Sequence, residues 1–337
     1  MAGIHLTLEA ARGLSVSCLT ANGCDDDNAQ AVTEVMIKAE RDGCTSHGIF
    51  RLPGYVKTLR CGRADGKAVP VVERISPAVV RVDGQNCLAP LALDRGRQPL
   101  IEAARETGIA ALSLVRIFHM AALWPEVEAI AEDGLCALAV TSSRALVAPA
   151  GGTKAMFGTN PMAFGWPRRD GPPLVFDQAV SVMARGEVMI AARDGHALPE
   201  GVALDADGNP TTDAQAAVDG VLLPFGGYKG SSIGMMIELL AAGLIGETFA
   251  YETTANTADD GGAGRGGEVI IAIDPNRFGD GEGWLDHSEA FFAEMLKQDG
   301  VRLPGGRRHA ERARIPKEGF HIPGSLHEKI LALTNTE

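Results

Sequence analysis

Helical and strand-like apolar stretches alternate along this 337-residue chain without a regular strand–helix–strand beat, and that irregularity narrows its fold more than any other feature. Behind the acids Asp25, Asp26 and Asp27, the apolar residues Ala29, Val32, Val35, Met36 and Ala39 recur at helical spacing. Leu52, Tyr55, Val56 and Leu59 repeat it, with Pro53 suited to a first helical turn. Residues 100–107 read as a helix closed by Gly108, and 109–115, 135–140 and 268–273 read as buried strands. Residues 79–82 read as a strand that turns at Asp83 and Gly84. The stretch 231–245 is apolar nearly all round, which predicts a buried helix whose Glu238 needs a structural partner. Glycine and proline cluster at 149–153, 168–173, 205–210 and 259–267, which read as loops. No G-x-G-x-x-G lies between a strand and a helix, so a Rossmann site is not supported. The expected class is mixed α+β, or irregular α/β, rather than a doubly wound sheet.

Composition excludes several functions. A net charge of −12 is wrong for nucleic acid or an anionic membrane, both of which need a basic surface. No apolar run approaches the ~18 residues needed to span a bilayer, and the first residues lack the basic region of a signal peptide. Six scattered cysteines without a C-x-x-C pair fit a reduced cytoplasm, and Cys44 reads as bulk beside its neighbours rather than as a nucleophile. The eight histidines form no zinc-binding spacing, so no metal is expected.

The chemistry concentrates in residues 46–51, after the helix-stop Gly43. Ser46, His47 and Arg51 bring a hydroxyl, an imidazole and a guanidinium within a turn or two. An imidazole can deliver a proton near neutral pH, a hydroxyl can orient it, and a guanidinium can grip a carboxylate with two parallel bonds. Taken alone, the six residues equally fit a plainer role, with Ser46 capping a helix and His47 and Arg51 pairing with nearby acids. Gly230, Ser231, Ser232, Ile233 and Gly234 satisfy the G-x-S-x-G pattern of a hydrolase elbow, with Asp286 and His309 downstream. That motif needs a strand running straight into its first glycine. Here a loop intervenes after 221–223, so a serine hydrolase using Ser232 is a remote alternative.

Segments 46–56 (SHGIFRLPGYV), 157–164 (FGTNPMAF), 223–231 (LPFGGYKGS) and 265–275 (RGGEVIIAIDP) occur in this order. Together they resemble the malate/L-lactate dehydrogenase family that lacks a Rossmann fold, over nearly the whole chain. The resemblance implies a discontinuous helical, substrate-binding part (1–115 with 290–337) and a mostly antiparallel cofactor-binding domain (116–289). It makes Ser46 and His47 catalytic, with Arg51 and Thr159 holding a substrate carboxylate. It places the cofactor along His119, Met120, Ala121, Ala122 and Leu123, along Asp177, Gln178 and Ala179, and at Arg185, Gly186 and Gly227. It continues across Arg302, Leu303, Pro304, Gly305, Gly306, Arg307 and Arg308. Residues 121–128 (AALWPEVE) look like the cyclic-imine reductases of the family, whereas Arg116, Ile117 and Phe118 match no subgroup closely.

The expected activity is therefore NADPH-dependent reduction of Δ1-piperideine-2-carboxylate or Δ1-pyrroline-2-carboxylate to L-pipecolate or L-proline. A 2-oxo acid/2-hydroxy acid dehydrogenase is the runner-up. NADPH is preferred over NADH because its 2′-phosphate, of roughly two negative charges, suits the arginines at 302, 307 and 308. The family implies a cytoplasmic homodimer.

Overall fold

The computed structural model describes residues 3–256, 262–279 and 283–335. After a short strand β1 (Ile4–Leu6), Thr7 caps α1 (Leu8–Ala21) by accepting the Ala10 amide, and Asp25 caps α2 (Asp26–Arg41) through Asn28. The chain reverses at Gly43, whose φ of 71° favours glycine. Two 3-10 turns (Thr45–His47 and Ile49–Arg51) then lead into α3 (Leu52–Arg60), with Pro53 in its first turn.

A seven-stranded mixed sheet forms the frame. Its spatial order is β2 (Val71–Ser76), β3 (Val79–Leu88), β4 (Ile109–His119), β11 (Gly264–Ile273), β5 (Cys136–Thr141), β6 (Met162–Trp166) and β7 (Leu174–Gln178). Only the β3–β4 pair is parallel. Alternate residues serve two layers. Leu112, Leu114 and Ile270 pack under α4 (Ala89–Thr107) and α5 (Trp124–Glu132), together with Leu93, Leu100 and Ile130. Val115, Val140 and Val269 pack with Ile237 and Ala241, from α8 (Tyr228–Glu238) and the π turn Leu239–Gly243 that follows it.

Helices α6 (Arg185–Asp194) and α7 (Ala214–Asp219) share a smaller core, beside a sheet of β8 (Ala203–Leu204), β9 (Pro210–Thr211) and β10 (Val221–Leu222). The remaining helices are α9 (Ala250–Asn256), α10 (Pro275–Phe278), α11 (Trp284–Met295), α12 (Gly306–Glu318) and α13 (Gly324–Thr334). Late in the chain β12 (Phe320–Ile322) pairs with β1, and Ile330 of α13 joins Leu19, Leu52 and Tyr55 in one cluster. The boundary expected after residue 115 falls inside β4, and the sheet draws strands from both sides of it.

Several local expectations need correction. Asp83 and Gly84 do not turn the chain, because β3 continues to Leu88 through a bulge in which Gln85 and Asn86 take positive φ. The helix expected at 100–107 begins at Ala89, with a proline in its first turn and Pro99 inside it. The glycines 264, 266 and 267 lie in β11, not in a loop, because they are pressed against the backbone of Ser142, Arg144 and Ala241 where a Cβ would clash. Residues 259–261 of that run lie outside the described residues. The helix expected at 231–245 is not buried all round: Met235 is 52% exposed, Leu239 54% and Leu244 71%. Its Glu238 does find partners, accepting from the Asn160 side chain and the amides of Gly158 and Ala250. Among the described residues no helix is long and apolar enough to cross a membrane, and no three metal-binding side chains converge.

Candidate active site

The turns between α2 and α3 hold the reactive groups. Ser46 Oγ lies 3.0 Å from His47 Nδ1, and Arg51 Nε donates to the Ser46 carbonyl at 2.7 Å. When Ser46 donates to Nδ1, the imidazole proton sits on Nε2. Two devices fix the turn. Glu40 of α2 accepts the Ile49 amide at 2.8 Å, and Gly48 leaves room for that carboxylate where a Cβ would overlap it. Asp42, fully buried, is gripped by Arg312 of α12, which also holds Glu128 of α5.

Burial, then the Arg51 charge, then His119 push the His47 imidazole down to about 3, so it is neutral in the free protein at pH 7. Burial likewise lowers Arg51, with Tyr55 opposing and Arg144 adding to the shift. The Tyr55 ring is buried beneath this group and hydrogen-bonds the Met120 backbone. Glu40, almost fully enclosed, is pushed up to about 7 by burial, against the Ile49 bond.

Other expected residues converge from distant segments. At the start of α6, a Cβ on Gly186 would stand 3.2 Å from Ser46 Cβ and 3.3 Å from an Arg51 nitrogen, so a side chain here would crowd both groups. His119 ends β4 close enough to act on His47. Beyond it, Asp177 accepts the amides of Leu123 and Trp124 at 2.9 and 3.0 Å and shapes the 119–124 turn. Burial raises Asp177, opposed by those two amides and by Arg308. Thr159 sits in a turn held by its carbonyl to the Val180 amide and by Asn160, whose φ is 38° and whose side chain also bonds Gly234. Gly227 opens α8 with a φ of 61°, and Gly305 opens α12 with a φ of 92°.

Some expected residues do structural work. Arg185 donates to the carbonyls of Ala217 and Val218 at the end of α7. Arg308 donates to the Val175 carbonyl at 2.6 Å and stacks 4.9 Å over Trp124, whereas Arg302 and Arg307 are exposed. Ser232 is spent on a bond to the Tyr228 carbonyl inside α8, and Asp286 pairs with Arg169, so the hydrolase elbow does not exist. Sequence reasoning passed over Glu40, Tyr55, the Asp42–Arg312 pair and Glu268. Only Glu268 left a signal, as an acid at the head of the apolar run 269–273.

Comparison with known proteins gives this geometry its kin. The malate/L-lactate dehydrogenase family model matches residues 6–331. The chain is 46% identical over 332 residues to the Δ1-pyrroline-2-carboxylate/Δ1-piperideine-2-carboxylate reductase of Pseudomonas aeruginosa, covering 98% of this chain and 99% of that protein. It is 41% identical to the (2R)-3-sulfolactate dehydrogenase (NADP+) of Chromohalobacter salexigens, over 97% of each. The crystal structure of Δ1-piperideine-2-carboxylate reductase from Pseudomonas syringae pv. tomato superposes with a TM-score of 0.92 at 42% identity, covering 98% of this chain and 99% of the other. With the hydrolase elbow gone and this match spanning almost every element, the chain belongs to the malate/L-lactate dehydrogenase family and is an oxidoreductase.

Proposed function

We propose that the protein reduces a cyclic imine carboxylate, Δ1-piperideine-2-carboxylate or Δ1-pyrroline-2-carboxylate, to L-pipecolate or L-proline with NADPH. The observation that carries this reading is the assembly of Ser46, His47 and Arg51 in one hydrogen-bonded group, in a chain 46% identical to a reductase named for both imines. Arg51, with Thr159, takes the substrate carboxylate and thereby turns the imine C2–N bond toward His47. Carboxylate binding also neutralises the Arg51 charge, which after burial does most to hold His47 down, so the imidazole gains basicity as the substrate arrives. Having taken up a proton from solvent, His47 gives its Nε2 proton to the ring nitrogen and returns to the neutral ring, while its Nδ1–H donates to Ser46 Oγ.

The dinucleotide fits residues of this chain. The first-turn amides of α12 have no intrahelical acceptors, a Cβ on Gly306 would meet only open space, and the Arg302 and Arg307 side chains are exposed beside them. That donor set suits a phosphate, and the sulfolactate relative named for NADP+ supports the choice of NADPH. When bound, the nicotinamide supplies the hydride to C2. His119 and residues 120–123 would line its ring end, and Gly227 would border it. The family points further to a homodimer, and the six free cysteines fit a reduced cytoplasm.

A second reading, reduction of a 2-oxo acid, is favoured by the sulfolactate dehydrogenase relative. Steady-state assays of the purified protein with each imine, with pyruvate, oxaloacetate and sulfopyruvate, and with NADPH or NADH decide between them. The expected result is the highest kcat/KM with an imine and NADPH. A higher value with any 2-oxo acid would replace the first reading by the second.

A further inference from the structure

Glu268 has no task in the chemistry above, yet its carboxyl group is fully enclosed. It is fully buried in the central strand β11, opposite Leu114 of β4 and Thr141 of β5. Its Oε2 lies 3.4 Å from Nε2 of His119, a small rotation short of a good hydrogen bond. Both oxygens of Glu268 and Nε2 of His119 are sealed from solvent and have no other hydrogen-bond partner among the described residues. The residual 7% exposure of His119 therefore lies away from Nε2.

The charged groups acting on Glu268 are two more carboxylates, Glu126 of α5 and Asp177 of β7. Glu126 is met by Arg97 at 3.3 Å, and Asp177 by two backbone amides and the Arg308 charge, so neither brings a cation to Glu268. An ionised Glu268 would be a third buried carboxylate in the same place, which burial and mutual repulsion both oppose. Burial acts on His119 in the matching sense and pushes it down to about 4, toward the neutral ring.

We propose that Glu268 is a positioning residue: as a neutral carboxylic acid it donates its proton in a hydrogen bond to Nε2 of His119, and so fixes the tautomer that presents an Nδ1–H donor to the cleft. His119 then offers a fixed, uncharged donor on the side of the cleft next to His47. A cation there would oppose the protonation of His47, and an acceptor nitrogen would repel a carbonyl or carboxamide oxygen. The protonation state follows from the burial, whereas its use in turnover rests on the reductase reading.

Nitrogen-15 NMR of the full chain with labelled histidine, assigned by the loss of one ring in His119→Gln, reads the tautomer directly. In the wild type, His119 is expected to stay neutral and protonated on Nδ1 from about pH 5 to about pH 9. Glu268→Gln, whose amide also donates, should keep that state, and Glu268→Leu should release it to a mixture. With whichever substrate the protein turns over, Glu268→Gln should hold kcat within a few-fold. Glu268→Leu should lose roughly 10-fold or more. A wild-type ring protonated on Nε2 or on both nitrogens overturns the proposal, as does a Glu268→Leu variant with unchanged tautomer and kcat. Should the leucine variant not fold, the wild-type spectrum decides alone. Failure to reduce imines alongside the expected tautomer would count against the substrate assignment and leave this inference standing.

Discussion

An imidazole held at about 3, by burial first and by the Arg51 charge second, is neutral at pH 7, and on the proposed reading a substrate carboxylate on Arg51 would remove the second of these. His47→Ala should therefore lower kcat by ~10²–10⁴-fold with little effect on cofactor affinity, as judged by steady-state kinetics and cofactor fluorescence titration. Undiminished turnover would remove His47 from the mechanism. Arg51→Lys keeps a charge but loses the fork and the bond to the Ser46 carbonyl. It should cost ~1–3 kcal/mol in kcat/KM for carboxylate substrates. If the free acid and its ester lose kcat/KM equally in Arg51→Lys, Arg51 does not hold that group.

At the scale of elements, α12 does two jobs that its basic sequence blurs together. Its Arg312 ties the α2 end to α5, Arg308 is committed to Val175 and Trp124, and Arg307 is exposed. Arg307→Ser should raise KM for NADPH several-fold more than for NADH and leave the melting temperature nearly unchanged. Arg308→Ser should lower the melting temperature, because it strips a carbonyl of its donor and an indole of its cation. Equal KM effects on the two cofactors in Arg307→Ser would return that arginine to ordinary surface charge. Which residues form helices and strands was largely legible, because apolar spacing and caps are local. Where the elements end was not. The bulge at Gln85 and the glycines of β11 answer to backbones far along the chain, and a sequence window does not contain those.

For the whole molecule, buried ionisable groups set the acid–base response in opposing directions. Glu40 is raised to about 7, so its contribution is present at low pH and lost as pH climbs through 7. His47 is lowered to about 3, so its contribution is present above the ordinary histidine range and lost as pH falls toward 3. Glu40→Gln should accordingly stabilise the protein at about pH 8.5, by up to about 2–3 kcal/mol, and give nothing at about pH 4.5. His47→Gln should gain relative to wild type only on the acid side. Urea midpoints across pH check both, and parallel shifts at every pH would mean that packing, not protonation, governs these sites. The site itself was half legible. Ser46, His47 and Arg51 stand in one short run, whereas Glu40, Gly186 and Glu268 reach it only through tertiary packing, which leaves no periodic trace.

The pairing of Ile4 with Ile322 has a consequence for synthesis. Residues 4–6 are made long before their partner strand at 320–322 exists, and Asp42 waits almost as long for Arg312. A nascent chain can build α1 to α3 early, but the turn bearing Ser46 and His47 lacks that brace until residue 312 is made. Activity should then appear only once residues 312 and 320–322 have been made, in one step, and not grow in proportion to length.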